Sequence, residues 1–546
     1  MRTILLGLLA STALVAQATQ GDYSFSGTVV NSVTGEPVRS ARVSLTEMPQ
    51  IDPATGMPSN GPDLSPKTAR TGPGGGYLFA GLREGQYMLN AFKPGFNWEA
   101  DTPGAEIITL SASVAGRVIR LAPLGTIEGK LSSQNGDPLG GVSVGVFTEG
   151  TADGVRRFMG GHTVVTDDRG HFRLWDLYPG KYYLKALGRA GGTSMYLGDG
   201  LIRYDSWEGF HPVYFGGARD MDSATPVEIA AGTAGRADFT LAVEPTFKVR
   251  GRLDGFTPNK DVTFVLLEGD PNVEDSRVSL DGTTGKFEID DVFPGQYTLR
   301  ATQGDLARGE TIVAVKGGDV NGVGVLLVPA VTVTGSERLI GPAPQQTLNP
   351  ARGSAGDAGG FCTVWLNPLA PLAGEHDNLA HLAEEGGFSI GGVFAGQYRL
   401  GLSCQNRYVV SAVSGSSDLL SNPVLTVQPG LAPPPIEIGM KAGGGQLHGK
   451  LAVPGAHPNP GVLLVPAAAA SAGPEASNAV PMSESSGELE FDFSNLAPGD
   501  YLVYGFSRVQ SVEYRNPAVL NSLTGGTSVR IEDGKTTEIT LTSLVK

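Results

Sequence analysis

The sequence is poor in cysteine, in histidine and in long apolar runs. Its 546 residues include 2 cysteines and 7 histidines, which excludes a disulfide-framed mini-domain and a cysteine-rich metal site. No apolar run reaches the roughly 20 residues of a membrane-spanning helix. Apolar residues show no sustained helical periodicity, and 78 glycines with 37 prolines argue against a helical protein. We therefore predict a chain that is not helical and does not span a membrane.

Positive charge and catalytic motifs are also scarce. Lysine and arginine number 40 against 55 acidic residues, a net charge of −15. With no basic patch, this speaks against nucleic acid and anionic membrane surfaces as partners. No motif of a hydrolase, a metalloprotease or a phosphate-binding loop is present. We predict no catalytic residues, no metal ligands, no cofactor and no enzymatic activity.

The N-terminus has the pattern of a secretory signal peptide. Arg2 precedes the short apolar run Ile4–Val15, which ends at the small-x-small site Ala16-Gln-Ala18. We expect cleavage after Ala18. No cysteine lies near this site, so nothing indicates a lipid anchor. The mature protein is predicted to be secreted, periplasmic or on the cell surface.

One pattern occurs five times along the chain. It consists of a turn, a strand with alternating apolar residues, a tight turn and a second strand that opens on tyrosine. His171, Trp175 and Asp168 of the second copy have no fixed counterparts, whereas the apolar alternation, the turn glycine and the tyrosine persist. We predict that each tyrosine buries its ring while its hydroxyl caps a loop or strand end. These structural repeat tyrosines are Tyr87, Tyr182, Tyr297, Tyr398 and Tyr501.

Each copy lies between an opening strand with a central glycine and an apolar closing strand. This fixed order predicts five domains, each with its own core. Within each, six or seven short strands separated by turn signals are typical of a β-sandwich. Short linkers that contain proline predict a semi-rigid string or a partly folded-back arch. The predicted divisions are a signal peptide at 1–18 and sandwiches at 19–123, 124–245 (with an aromatic insertion at 188–222), 246–330, 331–442 and 443–546.

The first copy resembles a carboxypeptidase regulatory-like domain. The resemblance rests on Phe25-Ser-Gly-Thr-Val-Val30, Thr34-Gly-Glu-Pro-Val38, Ala41-Arg-Val-Ser-Leu45 and Gly76–Tyr87. The second copy matches nearly as well, the third is recognisable, and the last two match at the hairpin and end strands. The resemblance implies a transthyretin-like (prealbumin-like) β-sandwich, a fold shared with collagen-adhesin B-type repeats. The predicted fold class is thus an all-β tandem array of about five such domains after a signal peptide, as in secreted bacterial proteins. It names a fold and not an activity.

The insertion in the second copy is the best candidate for ligand binding. Aromatic rings interleaved with carboxylates can stack on sugar rings and hydrogen-bond to hydroxyl groups, and long ordered loops often carry function. The alternative is a flap that folds onto its own sandwich or the next, because such a loop would otherwise expose a large apolar patch. The candidate ligand-binding residues are Tyr196, Tyr204, Trp207, Phe210 and Tyr214.

The two cysteines, Cys362 and Cys404, both fall in the fourth copy. In an oxidising compartment an isolated pair in one small sandwich predicts a disulfide. Two buried free thiols are the alternative.

Together these patterns favour an exported, non-enzymatic structural or binding protein of the cell envelope or extracellular space. The predicted partner is a polysaccharide or an envelope or secreted protein. The alternative is an accessory subunit of a secreted hydrolase or peptidase whose active site is on another chain. The sequence does not indicate an oligomeric state.

Overall fold

The described residues fold mainly into β-strands with very little helix, which confirms the predicted all-β sandwich class. The predicted signal peptide lies outside the described residues. Within the described part of the chain, no helix is long and apolar enough to cross a membrane. The computed structural model describes residues 23–48, 65–98, 106–152, 154–187, 194–197, 200–203, 208–267, 277–341, 362–369, 378–381, 386–404, 407–452, 460–467, 478–481, 483–485, 488–507 and 512–545.

The chain divides into two compact units, Met1–Glu99 with Pro103–Pro123, and Ala100–Thr102 with Leu124–Lys546. The first unit contains two four-stranded sheets, with the orders β4-β1-β8-β6 and β3-β2-β5-β7. Alternate side chains of β4 and β5 are buried in one core, as the period of two predicts. The strands are β1 (Tyr23–Asn31), β2 (Arg42–Glu47), β3 (Lys67–Arg70), β4 (Gly76–Leu82), β5 (Gly85–Phe92), β6 (Phe96–Trp98), β7 (Glu106–Leu110) and β8 (Val114–Pro123).

The second unit begins with the sandwich that carries the insertion. Its main sheets have the orders β13-β9-β20, with β21 also on β9, and β12-β11-β14-β18, with β19 also on β14. Two small sheets, β10-β15-β16 and β17-β22, are added to them. The strands are β9 (Gly125–Ser133), β10 (Leu139–Gly140), β11 (Ser143–Ala152), β12 (Val155–Val165), β13 (His171–Leu177), β14 (Gly180–Leu187), β15 (Ser194–Leu197), β16 (Gly200–Arg203), β17 (Glu208–Phe210), β18 (Val213–Tyr214), β19 (Val227–Ile229), β20 (Ala234–Arg236), β21 (Phe239–Leu241) and β22 (Val243–Pro245).

The third sandwich has two four-stranded sheets, β25-β26-β23-β29 and β24-β27-β28-β30. The strands are β23 (Phe247–Asp254), β24 (Thr263–Leu267), β25 (Arg277–Leu280), β26 (Lys286–Val292), β27 (Gly295–Gln303), β28 (Ala307–Val315), β29 (Val320–Leu326) and β30 (Val328–Pro329).

The fourth sandwich pairs its strands as β34-β31-β39-β36-β37 and β33-β32-β35-β38. The fifth pairs them as β43-β44-β40-β47 and β42-β41-β45-β46. One short helix, α1 (Pro517–Ser522), precedes β46. The strands are β31 (Val331–Leu339), β32 (Cys362–Pro368), β33 (Asn378–His381), β34 (Gly387–Val393), β35 (Gly396–Cys404), β36 (Arg407–Ser414), β37 (Ser417–Asp418), β38 (Val424–Val427), β39 (Ile436–Ala442), β40 (Gly445–Leu451), β41 (Gly461–Pro466), β42 (Asn478–Pro481), β43 (Ser483–Ser485), β44 (Glu488–Leu496), β45 (Gly499–Phe506), β46 (Thr527–Ile531) and β47 (Thr536–Leu541).

In every copy the opening strand lies between the first hairpin strand, which is antiparallel to it, and the closing strand, which is parallel to it. Its central glycine stands directly opposite an aromatic residue of the hairpin. An ideal Cβ at any of these glycines would overlap the aromatic side chain or a backbone carbonyl of the closing strand. The close approach of three strands therefore requires glycine. The pairs are Gly27–Tyr77, Gly129–Phe172, Gly251–Phe287, Gly335–Phe388 and Gly449–Phe491.

Candidate functional site

The five repeated tyrosines join the two hairpin strands of each copy. Their rings are buried, with exposed fractions between 2% for Tyr87 and 9% for Tyr501. Each hydroxyl donates a hydrogen bond to the backbone carbonyl four residues earlier, over distances of 2.8 to 3.1 Å. Burial raises the pKa of Tyr87, Tyr182 and Tyr501, because a phenolate is poorly solvated in the core. The tyrosine thus has an apolar body in the core and a polar tip that closes the hairpin turn.

A second repeated feature, which the sequence analysis missed, lies six residues before each tyrosine. The backbone there adopts a positive φ, and the strand pairing shifts register at the same point. The residue therefore forms a β-bulge. Glycine, asparagine and aspartate tolerate this conformation, and because three residue types share the position, no single letter marks it. The residues are Gly81 (φ 66°), Asp176 (56°), Asp291 (62°), Gly392 (69°) and Asn495 (59°).

Within the second unit, the hairpin turn also contacts the preceding sandwich. Asn495 Nδ2 donates to the carbonyl of Cys404 at 2.8 Å. The Arg308 guanidinium lies 4.0 Å from the centre of the Phe394 ring. In the fourth and fifth sandwiches, the stretch that closes the hairpin therefore contacts the preceding copy.

Removing one of these hydroxyls should have a measurable cost. We predict that Tyr501→Phe destabilises the fifth sandwich by about 1–2 kcal/mol, because the carbonyl of Ala497 loses a partly buried hydrogen-bond donor. The change in the free energy of unfolding is measured by hydrogen exchange of residues 488–507 as a function of urea concentration. As a control, Tyr178→Phe alters a tyrosine that is 55% exposed and should change stability by no more than about 0.5 kcal/mol. Equal effects of the two substitutions would contradict the assigned role.

Two of the five candidate ligand-binding residues are packed inside the protein. Phe210 is 0% exposed in the core of the second sandwich, and Tyr214 is 1% exposed. Tyr214 packs with Tyr183 and Met221 in a separate apolar cluster, and the Lys185 ammonium lies 5.3 Å from its ring centre. The prediction that Phe210 and Tyr214 stack on sugar rings is therefore wrong. These rings bury apolar surface, as in the alternative of a folded-back flap.

For the remaining three candidates, Tyr196, Tyr204 and Trp207, ligand binding stays a prediction. The backbone of Tyr196 lies in β15, where it pairs with Gly140 and Leu201. Tyr204 and Trp207 lie outside the described residues.

Cys362 and Cys404 occupy directly opposite positions on β32 and β35 and are joined by a disulfide. Both sulfur atoms contact the Met440 Sδ, at 3.8 and 3.5 Å. The bond joins two neighbouring strands of one sheet and packs in the core of the fourth sandwich.

The exposed faces of the opening-strand sheets differ from copy to copy. The difference is clear at the residue that directly follows the central glycine of the opening strand, which pairs with one residue of the first hairpin strand. In the fifth copy this pair is Lys450 and Glu490, whose Nζ and Oε1 are 3.1 Å apart. In the third copy both members are cations. The five pairs are Thr28–Gly76, Lys130–His171, Arg252–Lys286, Ser336–Gly387 and Lys450–Glu490.

Beside this cation pair, an ion-pair network crosses the same face of the third sandwich. Glu288 accepts hydrogen bonds from Lys248 at 2.7 Å and from Arg250 at 2.5 Å. These two bonds, that from Lys248 first, lower the pKa of Glu288. Arg250 also contacts Asp319 at 2.9 Å. The network holds the Arg250 guanidinium in place.

Similarity to known proteins is weak. No family model matches the chain, and no curated protein matches it. Among solved structures, a streptococcal ancillary pilin is 14% identical over 40% of this chain and 62% of its own, with a TM-score of 0.21. The minor pilin GBS52 of Streptococcus agalactiae is 15% identical over 41% of this chain and 98% of its own, with a TM-score of 0.23. The Bacillus anthracis TIE protein is 9% identical over 96% and 73%, with a TM-score of 0.17.

Metal binding has no visible centre in the part of the chain that the structure describes. No group of three histidine, cysteine, aspartate or glutamate side chains lies close enough there to hold an ion.

Proposed function

We propose that the protein is an exported, non-enzymatic structural and binding protein of the cell envelope or extracellular space. One observation supports this function best. The tyrosine, the bulge and the glycine–aromatic pair are the same in every copy, whereas the exposed faces of the sheets are not. A constant scaffold with variable surfaces suits recognition, because such a scaffold positions surface groups without depending on their identity.

The proposal extends to the family and boundaries of the domains and to the removal of the signal peptide. The copies would be separate domains of the carboxypeptidase regulatory-like family, with the boundaries predicted from the sequence, and residues 1–18 would be removed on export. No sheet of the described chain combines strands from two of the predicted domains. Expressed alone, residues 246–330 should unfold cooperatively. A segment that stays unfolded would contradict a separate third domain.

We propose a polysaccharide or an envelope or secreted protein as the ligand. The mature protein should begin at Thr19 and should be retained by at least one immobilised polysaccharide or by one specific protein of the culture supernatant. Tyr196, Tyr204 and Trp207 are the proposed stacking residues. If they bind sugar, Trp207→Ala abolishes the fluorescence change on adding polysaccharide without lowering the melting temperature. A variant that only loses stability would assign Trp207 to the flap, and a hydrolase recovered as partner would favour the accessory-subunit alternative.

A further inference from the structure

The third sandwich carries two like charges directly opposite each other on an exposed sheet face. Arg252 of β23 is the cross-strand partner of Lys286 of β26. Like charges at directly opposite positions destabilise an antiparallel pair. In the fifth copy the same two positions hold a lysine and a glutamate that form an ion pair. The third copy therefore lacks an ion pair between these two positions, and the acid that contacts Arg252 is Asp254 of its own strand, at 2.8 Å.

The space around this pair is open. On the other side of Arg252, the closing strand has Gly324, where the first, fourth and fifth copies have Val118, Glu437 and Thr540. A Cβ at Gly324 would meet no atom within 4 Å. The result is a groove of about 760 Å³ across the sheet, lined among others by Arg250, Arg252, Lys286, Glu288 and Asn321.

The lining of the groove has one more cation than acids. It includes three cations, Arg250, Arg252 and Lys286, and two acids, Asp281 and Glu288. Glu288 is already held by Arg250, and Asp281 accepts hydrogen bonds from the backbone of its own turn. Arg252 donates its Nε–H to Asp254, but a guanidinium has five N–H donors.

We propose that this groove binds an anionic group of a polysaccharide, a uronate carboxylate or a sulfate, between Arg252 and Lys286. A bound anion relieves the repulsion within the cation pair and forms charge-assisted hydrogen bonds with both side chains. Arg250, fixed by Glu288, lies beside it as a further donor. This inference rests on the proposed carbohydrate recognition and gives it a place and a ligand chemistry.

A sugar fits the groove better than an acidic peptide does. Next to the cations, Ser279, Asp281, Glu288 and Asn321 offer both acceptors and donors, and a sugar hydroxyl needs both. An extended peptide would instead be expected to pair with a sheet edge or to fill apolar pockets with alternate side chains. The groove crosses the exposed face of all four strands of its sheet.

Two substitutions test the site in different ways. Lys286→Glu places an acid opposite Arg252, as Glu490 stands opposite Lys450 in the fifth copy, and should reduce affinity at least about ten-fold, by loss of a charge-assisted bond and repulsion of the anion, while the melting temperature stays level or rises. Gly324→Thr fills the open space without changing charge and should also weaken binding. Lys181→Glu, the same charge change at an exposed residue of β14 in the second sandwich, is the matched control and should bind as wild type.

The probes are polygalacturonate, dextran sulfate, neutral dextran and poly-L-glutamate, each immobilised for biolayer interferometry with the full mature chain. Retention on polygalacturonate or on dextran sulfate identifies the anion as carboxylate or sulfate. Retention on neither, retention that Lys286→Glu leaves unchanged, or equal retention on poly-L-glutamate overturns the inference. Binding of neutral dextran that ignores both substitutions would leave carbohydrate recognition intact and refute only this site.

Discussion

Replacing Gly251 by valine should unfold the third sandwich or cost it about 3 kcal/mol or more. A Cβ at Gly251 would overlap both the carbonyl oxygen of Val323 and the ring of Phe287. The first is backbone of the parallel closing strand, and the second is a core ring that is 4% exposed. Because neither can move without separating paired strands, the strain falls in the upper range for overpacked cores. Hydrogen exchange of residues 247–254 and 286–292 as a function of urea concentration measures the effect.

A control and a rescue make this prediction specific. Gly324→Ala lies one strand away on the exposed face, where an added Cβ has free space, and should change stability by less than about 0.5 kcal/mol. Gly251→Ala alone should also lose stability. The double variant Gly251→Ala with Phe287→Leu should recover part of that loss, because leucine is smaller than the phenylalanine ring that the added Cβ overlaps. A valine at Gly251 that is tolerated as well as alanine at Gly324 would show that the three strands can separate at low cost.

The sequence predicted the features that depend on repetition. The opening glycine, the aromatic or tyrosine ring and the closing strand recur at constant positions, so comparing copies separated scaffold from surface without any other information. His171 and Trp175 have no fixed counterparts in the other copies, which predicted that they are not part of the scaffold. Both are exposed on β13. Apolar alternation was sufficient for the sandwich class, since burial follows it strand by strand.

The features that the sequence did not reveal depend on pairs of distant residues. The sequence left open whether Phe210 and Tyr214 are accessible or packed in a flap, because burial is decided by what the loop covers. Tyr214 is buried against Tyr183 and Met221, which no local pattern indicates. The cation pair of Arg252 and Lys286 was equally invisible, because it appears only when the register between β23 and β26 is known.

Removing the disulfide should cost the fourth sandwich about 4 kcal/mol by the chain-entropy relation, since the bond closes a loop with a sequence separation of 42 residues. That loss is a large share of the stability of a small domain. The double variant Cys362→Ala with Cys404→Ala is the proper test, because it leaves neither a lone thiol nor a buried hydroxyl. Met440, which contacts both sulfur atoms, would then adjoin a small void.

The expected signature is local. Hydrogen exchange should accelerate in residues 387–404 and 407–442, while the third sandwich keeps its exchange rates. Wild-type protein treated with a reductant should show the same change as the double variant, which separates the cross-link from the side-chain substitution. A double variant that unfolds at the wild-type urea concentration would mean that the fourth core is stable without the bond. The disulfide would then have no structural role that its position across β32 and β35 explains.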